Sequence, residues 1–223
     1  IAVHENEIIM SNQQLEAVIS KPGKGYTGTR FDWGGIVKQV TLDGRHTFLS
    51  TEKSGFEYDP QLGYGLIGQF EPGLPRMNEG EYQLTVNKDS VIFTKDLEKN
   101  DKGWGYKLIK TITLEDRKLV IKCSLDNTGD KAFYFGEYNH NFIMINREPV
   151  SENYELEFSF IPEMSSSAAK GKELMAINSN TISWTRELND GDEFLCQLKG
   201  FEKGKKDNYW RLLHKPSGAG VRL

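Results

Sequence analysis

The sequence is poor in several things, and each shortage removes a class of function. Only two cysteines are present, Cys123 and Cys196. Two cysteines make no disulfide framework. Both sit in apolar, strand-like surroundings, where a free thiol behaves as a small buried hydrophobe. A reduced, cytoplasmic setting is therefore expected. The chain starts at Ile1 on strand-like sequence with no signal peptide in view. Because Ile1 is not a methionine, a trimmed or processed start is expected, and an upstream signal could have been lost with it. No apolar run approaches the ~20 residues needed to span a bilayer, so no membrane partner is expected. Clustered Lys and Arg are also missing. Net charge is −4 and the pI is about 5.7. The short mixed run Glu202-Lys203-Gly204-Lys205-Lys206 is a solvated loop, and nucleic acid is excluded as the main partner. The four histidines (His4, His46, His140, His214) are scattered. With no His-x-His pair, no metal site is expected. There is no G-x-S-x-G elbow, P-loop or Rossmann fingerprint, and no cofactor is implied.

Helical periodicity is missing as well. In its place short alternating runs, separated by turn residues, recur from end to end. Ile1 to Met10 and Leu15 to Ser20 read as first strands. Ile36 to Leu42 and His46 to Ser50 flank Asp43-Gly44, a hairpin signal. Tyr82, Leu84 and Val86 alternate, as do Val91 and Phe93, across Asn87-Lys88-Asp89. Leu108, Ile112 and Leu114 lead through Glu115-Asp116-Arg117 into Leu119, Ile121, Cys123 and Leu125. Later strands are read at Leu156/Phe158/Phe160, Met175/Ile177, Ile182/Trp184, Phe194/Cys196/Leu198, Trp210/Leu212 and Val221/Leu223. His46 reads as a surface residue. His4 and His214 read as ordinary residues near the chain ends. Residues 51 to 80, rich in Gly, Pro and acids, read as a long ordered loop. Ser165 to Lys170 reads as a loop. The pattern predicts an all-β protein, a large antiparallel β-sandwich or barrel, as one domain over residues 1–223.

The stretch Lys131 to Asn146 breaks the strand rule. It is apolar at Phe133 and Phe135, then carries Glu137, Asn139, His140 and Asn141, and returns to Phe142, Ile143 and Ile145. Burying polar groups is costly unless they are hydrogen-bonded, so such a strand is either a site or a satisfied edge. His140 is the candidate acid–base group, since imidazole titrates near neutrality. Glu137, three residues away, faces the other side of a regular strand. A bulge at Gly136 would bring the two together. Trp33, Trp104 and Tyr26 offer stacking faces for a pyranose. Arg30, Asp32, Arg76, Asn139 and Asn141 offer hydrogen bonds to its hydroxyls. Trp33 reads equally as core. Arg30 and Asp32, two apart in an extended chain, share a face and read equally as members of a structural ion pair.

Three motifs together resemble the galactose mutarotase-like (aldose 1-epimerase) superfamily, whose fold is a β-supersandwich. Tyr138-Asn139-His140-Asn141-Phe142 is similar to the family's strand motif in which Asn-His precedes a phenylalanine and the histidine is the general acid. GYTGTRFDWGG, residues 25–35, is similar to the Y-x-G-T-R-F-D-W signature of a bacterial branch. GYKL at 105–108 with LVIKCSLDNTGDKAF at 119–133 is similar to the hairpin ahead of the histidine strand. The resemblance implies interconversion of aldose anomers. A base takes the anomeric proton, an acid protonates the ring oxygen, and the ring opens, turns and recloses. It implies His140 as the acid and a small-molecule sugar as partner; Glu137, which does not match the family's position, is the in-chain carboxylate expected to stand in as a catalytic group. Arg30, Asp32, Arg76, Trp104 and Asn139 are the expected sugar-binding residues. The family's second histidine has no counterpart; the region from 74 to 105 offers Arg76, Lys102 and Trp104. The family's base is a glutamate beyond a turn like Pro216-Ser217-Gly218, and this sequence stops at Leu223. A C-terminal strand segment is therefore expected to be missing, and Glu71 joins Glu137 as a substitute base. The alternative expectation is a non-catalytic carbohydrate-binding protein on the same fold. A glycoside-cleaving enzyme needs two carboxylates at a defined separation, and no such pair stands out. A monomer or a homodimer formed through free sheet edges is expected.

Overall fold

A computed structural model describes residues 1–53, 57–71, 81–164, 171–189, 191–202, 204–205 and 207–223. Among them the fold is all-β, built of antiparallel sheets, and no sheet closes into a barrel. Among the described residues no helix is long and apolar enough to cross a membrane. The chain packs as two compact units, Ile1–Ile143 and Met144–Leu223.

The first unit holds β1 (Ala2–Val3), β2 (Glu7–Ser11), β3 (Leu15–Ser20), β4 (Val37–Leu42), β5 (His46–Thr47) and β6 (Leu66–Phe70). It continues with β7 (Gln83–Val86), β8 (Ser90–Leu97), β9 (Tyr106–Glu115), β10 (Lys118–Asn127) and β11 (Glu137–Asn141). A seven-stranded sheet runs β1-β2-β3-β4-β6-β11, with β5 also on β4. A four-stranded sheet runs β10-β9-β8-β7. The expected hairpins form. The β4–β5 turn places both Asp43 and Gly44 at positive φ, 53° and 64°, the two-residue geometry that matches strand twist. The β9–β10 hairpin pairs without slip from Glu115/Lys118 to Tyr106/Asn127.

Alternation explains which way the four-stranded sheet faces. Val91, Phe93, Tyr106, Leu108 and Ile112 are buried on one side, against the seven-stranded sheet. Full burial of an aliphatic or aromatic side chain is worth about 1.5–3 kcal/mol, so this layer carries the unit. Two lysines occupy the same inner positions. Lys95 and Lys110 are each less than a tenth exposed.

Four expectations need correction here. The strand read from Ile1 to Met10 is two strands, because His4–Asn6 turns, with His4 N–H donating to the Glu7 carbonyl. The segment read as one long loop from 51 to 80 contains β6, which links β4 to β11. Its glycines made it look irregular. Lys131–Asn146 is a strand only at β11; residues 131–136 have no ladder partner, and Tyr134 is 95% exposed. Cys123 is an exposed free thiol on β10, the last strand of its sheet.

The second unit opens with a short turn of 3-10 helix at Ile145–Arg147. It holds β12 (Tyr154–Phe158), β13 (Glu163–Met164), β14 (Met175–Asn178), β15 (Thr181–Trp184), β16 (Leu198–Lys199), β17 (Trp210–His214) and β18 (Ala219–Arg222). Its main sheet runs β14-β15-β12-β17-β18, and β13 pairs with β16. Phe158, Met175 and Ile182 form its core, flanked by Phe194, Leu198 and Trp210. The strand read at Phe194–Leu198 is therefore mostly a loop whose apolar side chains serve the core. Cys196, on that loop, is also a free thiol and is half-buried. His214 is not an ordinary terminal residue: it is fully buried. Its Nδ1 lies 2.8 Å from Ser217 Oγ and its Nε2 3.1 Å from Glu148 Oε2. Ser165 to Lys170 lies outside the described residues.

Candidate functional site

β11 is the edge strand that carries the polar interruption. Its ladder with β6 pairs Glu137 with Phe70, Tyr138 with Gln69, Asn139 with Gly68, His140 with Ile67 and Asn141 with Leu66. Side chains alternate across a strand. Tyr138, His140 and Phe142 thus share the outer face with Gln69 and Ile67. Glu137, Asn139 and Asn141 share the inner face with Gly68 and Phe70. The register is regular from Glu137 to Asn141, so no bulge inside it brings Glu137 to His140.

On the outer face His140 is half-buried in an aromatic setting. Its ring stacks at 15° and 6.1 Å on Phe142 and meets the edge of Phe31 at 5.1 Å. Its Nε2 is 3.2 Å from Gln69 Oε1. Arg30 Nε donates to the same oxygen at 3.4 Å. An oxygen that accepts from Arg30 assigns the imidazole proton to Nε2 and leaves Nδ1 as the acceptor. The Arg30 guanidinium lies 4.6 Å above the Phe31 ring. Its Nη1 donates to Glu52 Oε1 at 2.7 Å, and Gly63 N–H holds Glu52 Oε2 at 2.9 Å. Burial lowers the His140 pKa below its ordinary value, Arg30 lowers it further, and Glu52 opposes them. Burial and Arg30 thus both favour the neutral imidazole.

Arg30 comes from the segment Tyr26–Gly35, which forms no strand. Between Leu66 and Phe70, β6 has lost β4 as a neighbour, and this segment lies along that free edge. Asp32 N–H donates to the Gly68 carbonyl at 2.8 Å. The Tyr26 hydroxyl accepts from the Arg30 and Phe31 amides at 3.1 and 3.3 Å. Trp33 Nε1 donates to the Gly28 carbonyl at 2.7 Å, and its ring packs on the core of Tyr26, Phe31, Ile36, Tyr64 and Ile67. Trp33 is thus core.

Arg30 and Asp32 do not share a face, because the segment bends between them. Asp32 points inward and is fully buried. Its Oδ2 lies 2.6 Å from Lys110 Nζ, and Tyr82 donates to its Oδ1 at 2.6 Å. Burial works against the Lys110 charge, but the Asp32 carboxylate outweighs it, and the ammonium pKa is raised. Burial and then Asp32 push the Tyr82 hydroxyl upward too. Gly68 makes room for this cluster. A β-carbon there would stand 3.2 Å from Lys110 Nζ, 3.6 Å from Glu137 Oε1 and 3.9 Å from Asn139 Oδ1.

The structure thus gathers two polar groups on opposite faces of β6 and β11. Of the residues read from sequence, His140 and Arg30 meet on the outer face. Asp32 pairs with Lys110 on the inner one, and Glu137 and Asn139 lie beside Gly68 on that face. Trp104 is apart from both, in the β8–β9 loop, with Lys131 Nζ 5.5 Å from its ring. Arg76 lies outside the described residues. Gln69, Glu52 and Lys110 were missed. Lys110 carried a legible signal: it interrupts the apolar series Tyr106, Leu108, Ile112 at a core position. Gln69 and Glu52 carried none, being ordinary polar residues in a Gly-rich segment.

Two shallow cavities, of about 270 and 400 Å³, share Glu7, Lys38 and Tyr58. Neither is lined by His140 or Arg30. Lys38 and Glu7 already neutralise each other at 3.3 Å. We therefore place the candidate site by its chemistry, at the oriented imidazole. Among the described residues no group of three or more His, Cys, Asp or Glu is placed to hold a metal ion. No protein-family model, curated protein or solved structure matches the chain.

Proposed function

We propose that the chain is an aldose 1-epimerase-like isomerase acting at the His140 face, consistent with the motif resemblance to the galactose mutarotase-like superfamily. One observation carries this reading: a neutral, oriented imidazole stands on an aromatic surface beside an amide, a guanidinium and a carboxylate. Neutral His140 takes the anomeric hydroxyl proton on Nδ1 as the C1–O5 bond breaks. The imidazolium then delivers that proton to the ring oxygen. Ring closure after rotation about C1–C2 reverses both transfers. The acid role implied by the resemblance is the second half of this cycle. Arg30 and Gln69 are suited to hold the sugar hydroxyls, and Phe142 and Tyr138 to pack on its apolar face.

Non-catalytic sugar binding is the second reading. One observation favours it: Glu52, the carboxylate whose charge acts on the imidazole, is held by Arg30 and the Gly63 amide, while Glu137 points to the other face. One-dimensional NMR of anomer exchange on D-galactose, D-glucose and D-xylose separates the two. Acceleration that falls by ~10²–10⁴-fold in His140→Ala is expected for a positioned acid–base group. Broadened sugar resonances without acceleration would support the binding reading. Neither effect on any sugar would refute both.

A further inference from the structure

The inner polar cluster has no part in the proton transfer, yet it is built at a cost. Two opposite charges are held between the sheets, where desolvation penalises each. An apolar pair would fill the same space. What distinguishes Asp32 is its place in the chain: it is two residues from Arg30, on a segment that no ladder holds. Arg30 itself is half-exposed, and a surface arginine is ordinarily free to sample many rotamers. Here it is fixed by a backbone clamped on both sides. Tyr26 holds the Arg30 and Phe31 amides. Asp32 holds the other end through Lys110, Tyr82, the Gly68 carbonyl and the Gly34 amide.

We propose that Lys110 is a positioning residue for the His140 face: through Asp32 it pins the Tyr26–Gly35 segment and so sets Arg30 over Phe31 and against Gln69. The ammonium belongs to the four-stranded sheet and the site to the far face of the other sheet. Asp32 is the link that passes between them. Gly68 is part of the device, since any side chain there would crowd the Lys110 ammonium. The proposal deepens the sugar-site reading, but its test does not need a sugar.

The charges that shift the His140 pKa are those of Arg30 and Glu52, whereas Lys110 and Asp32 form a mutually neutralising pair on the other face. A double variant that removes both charges of that pair therefore reads the effect that travels through Arg30. The His140 imidazole is titrated by NMR in the wild-type chain, Arg30→Gln, Lys110→Met and the double variant Asp32→Asn/Lys110→Met. Arg30→Gln should raise the His140 pKa by removing the cation. Lys110→Met should raise it by a similar shift with Arg30 still present. The double variant leaves no buried charge unpaired, and it gives the same readout if Lys110→Met does not fold. A His140 pKa that stays at the wild-type value in the folded Lys110 variants, while moving in Arg30→Gln, would overturn the proposal. So would an unmoved value in Arg30→Gln, since Arg30 would then not lie against the imidazole. Absence of anomer exchange in the wild-type chain would refute the isomerase reading and leave this result standing.

Discussion

At His140 desolvation and a neighbouring cation push the same way, toward the neutral ring. The sign of the pH dependence follows. The base form begins the cycle, so the rate of anomer exchange should rise with pH through the lowered pKa and then level off. Rates measured between about pH 5 and 8, corrected for spontaneous exchange, test this. A rate that falls over that range would mean the imidazolium begins the cycle instead. Linkage runs in the same direction. A histidine whose folded pKa is depressed contributes stability present above its unfolded value, and that contribution is lost as pH falls through the folded one. On the inner face the residue-level lesson is different. Asp32 is tolerated at full burial only because Lys110 and Tyr82 meet both of its oxygens. Removing one partner of such a pair typically costs ~3–5 kcal/mol.

Among the elements, β6 decides the architecture, and it was the hardest to read. The hairpins β4–β5, β7–β8 and β9–β10 were legible because alternation and turn residues agree there. β6 is short and lies among glycines, yet its glycines serve close approach. Gly65 has φ +63°, and a β-carbon there would lie 2.0 Å from the Val37 carbonyl oxygen. Gly44 has nearly the same φ, +64°, with nothing within 4 Å of that position. The two form a controlled pair. Gly44→Ala should cost only the left-handed strain, about 1 kcal/mol. Gly65→Ala adds a collision with backbone and should cost about 3–4 kcal/mol. Denaturant unfolding of the two variants measures the difference. Equal losses would mean that the β4–β6 approach is not as tight as described. The Phe194–Leu198 reading failed for the opposite reason: Phe194 packs on the Phe158 cluster from outside any named strand and only Leu198 joins one, in β16, and periodicity alone cannot tell the two apart. In the site, His140 and Arg30 were legible because each breaks or belongs to a distinctive pattern. Gln69 and Glu52 acquire their meaning only from the neighbours the fold gives them.

For the molecule as a whole, each unit carries its own buried aromatics, Phe31, Phe93 and Tyr106 in the first, Tyr154 and Phe158 in the second. Each also carries two of the four tryptophans, Trp33 and Trp104 against Trp184 and Trp210. The inner layer of the first unit holds one more property. Amine-acylating reagents need a solvated, deprotonated amine. Lys95 and Lys110 are sealed between two sheets, and the Lys110 ammonium is held in its charged form. In the native protein both should resist acylation while exposed lysines such as Lys38 and Lys99 react. Peptide mapping after timed labelling would show it, and rapid modification of Lys110 in native buffer would contradict the closed sandwich. The slow appearance of label at these two positions then becomes a clock for how often the two sheets part.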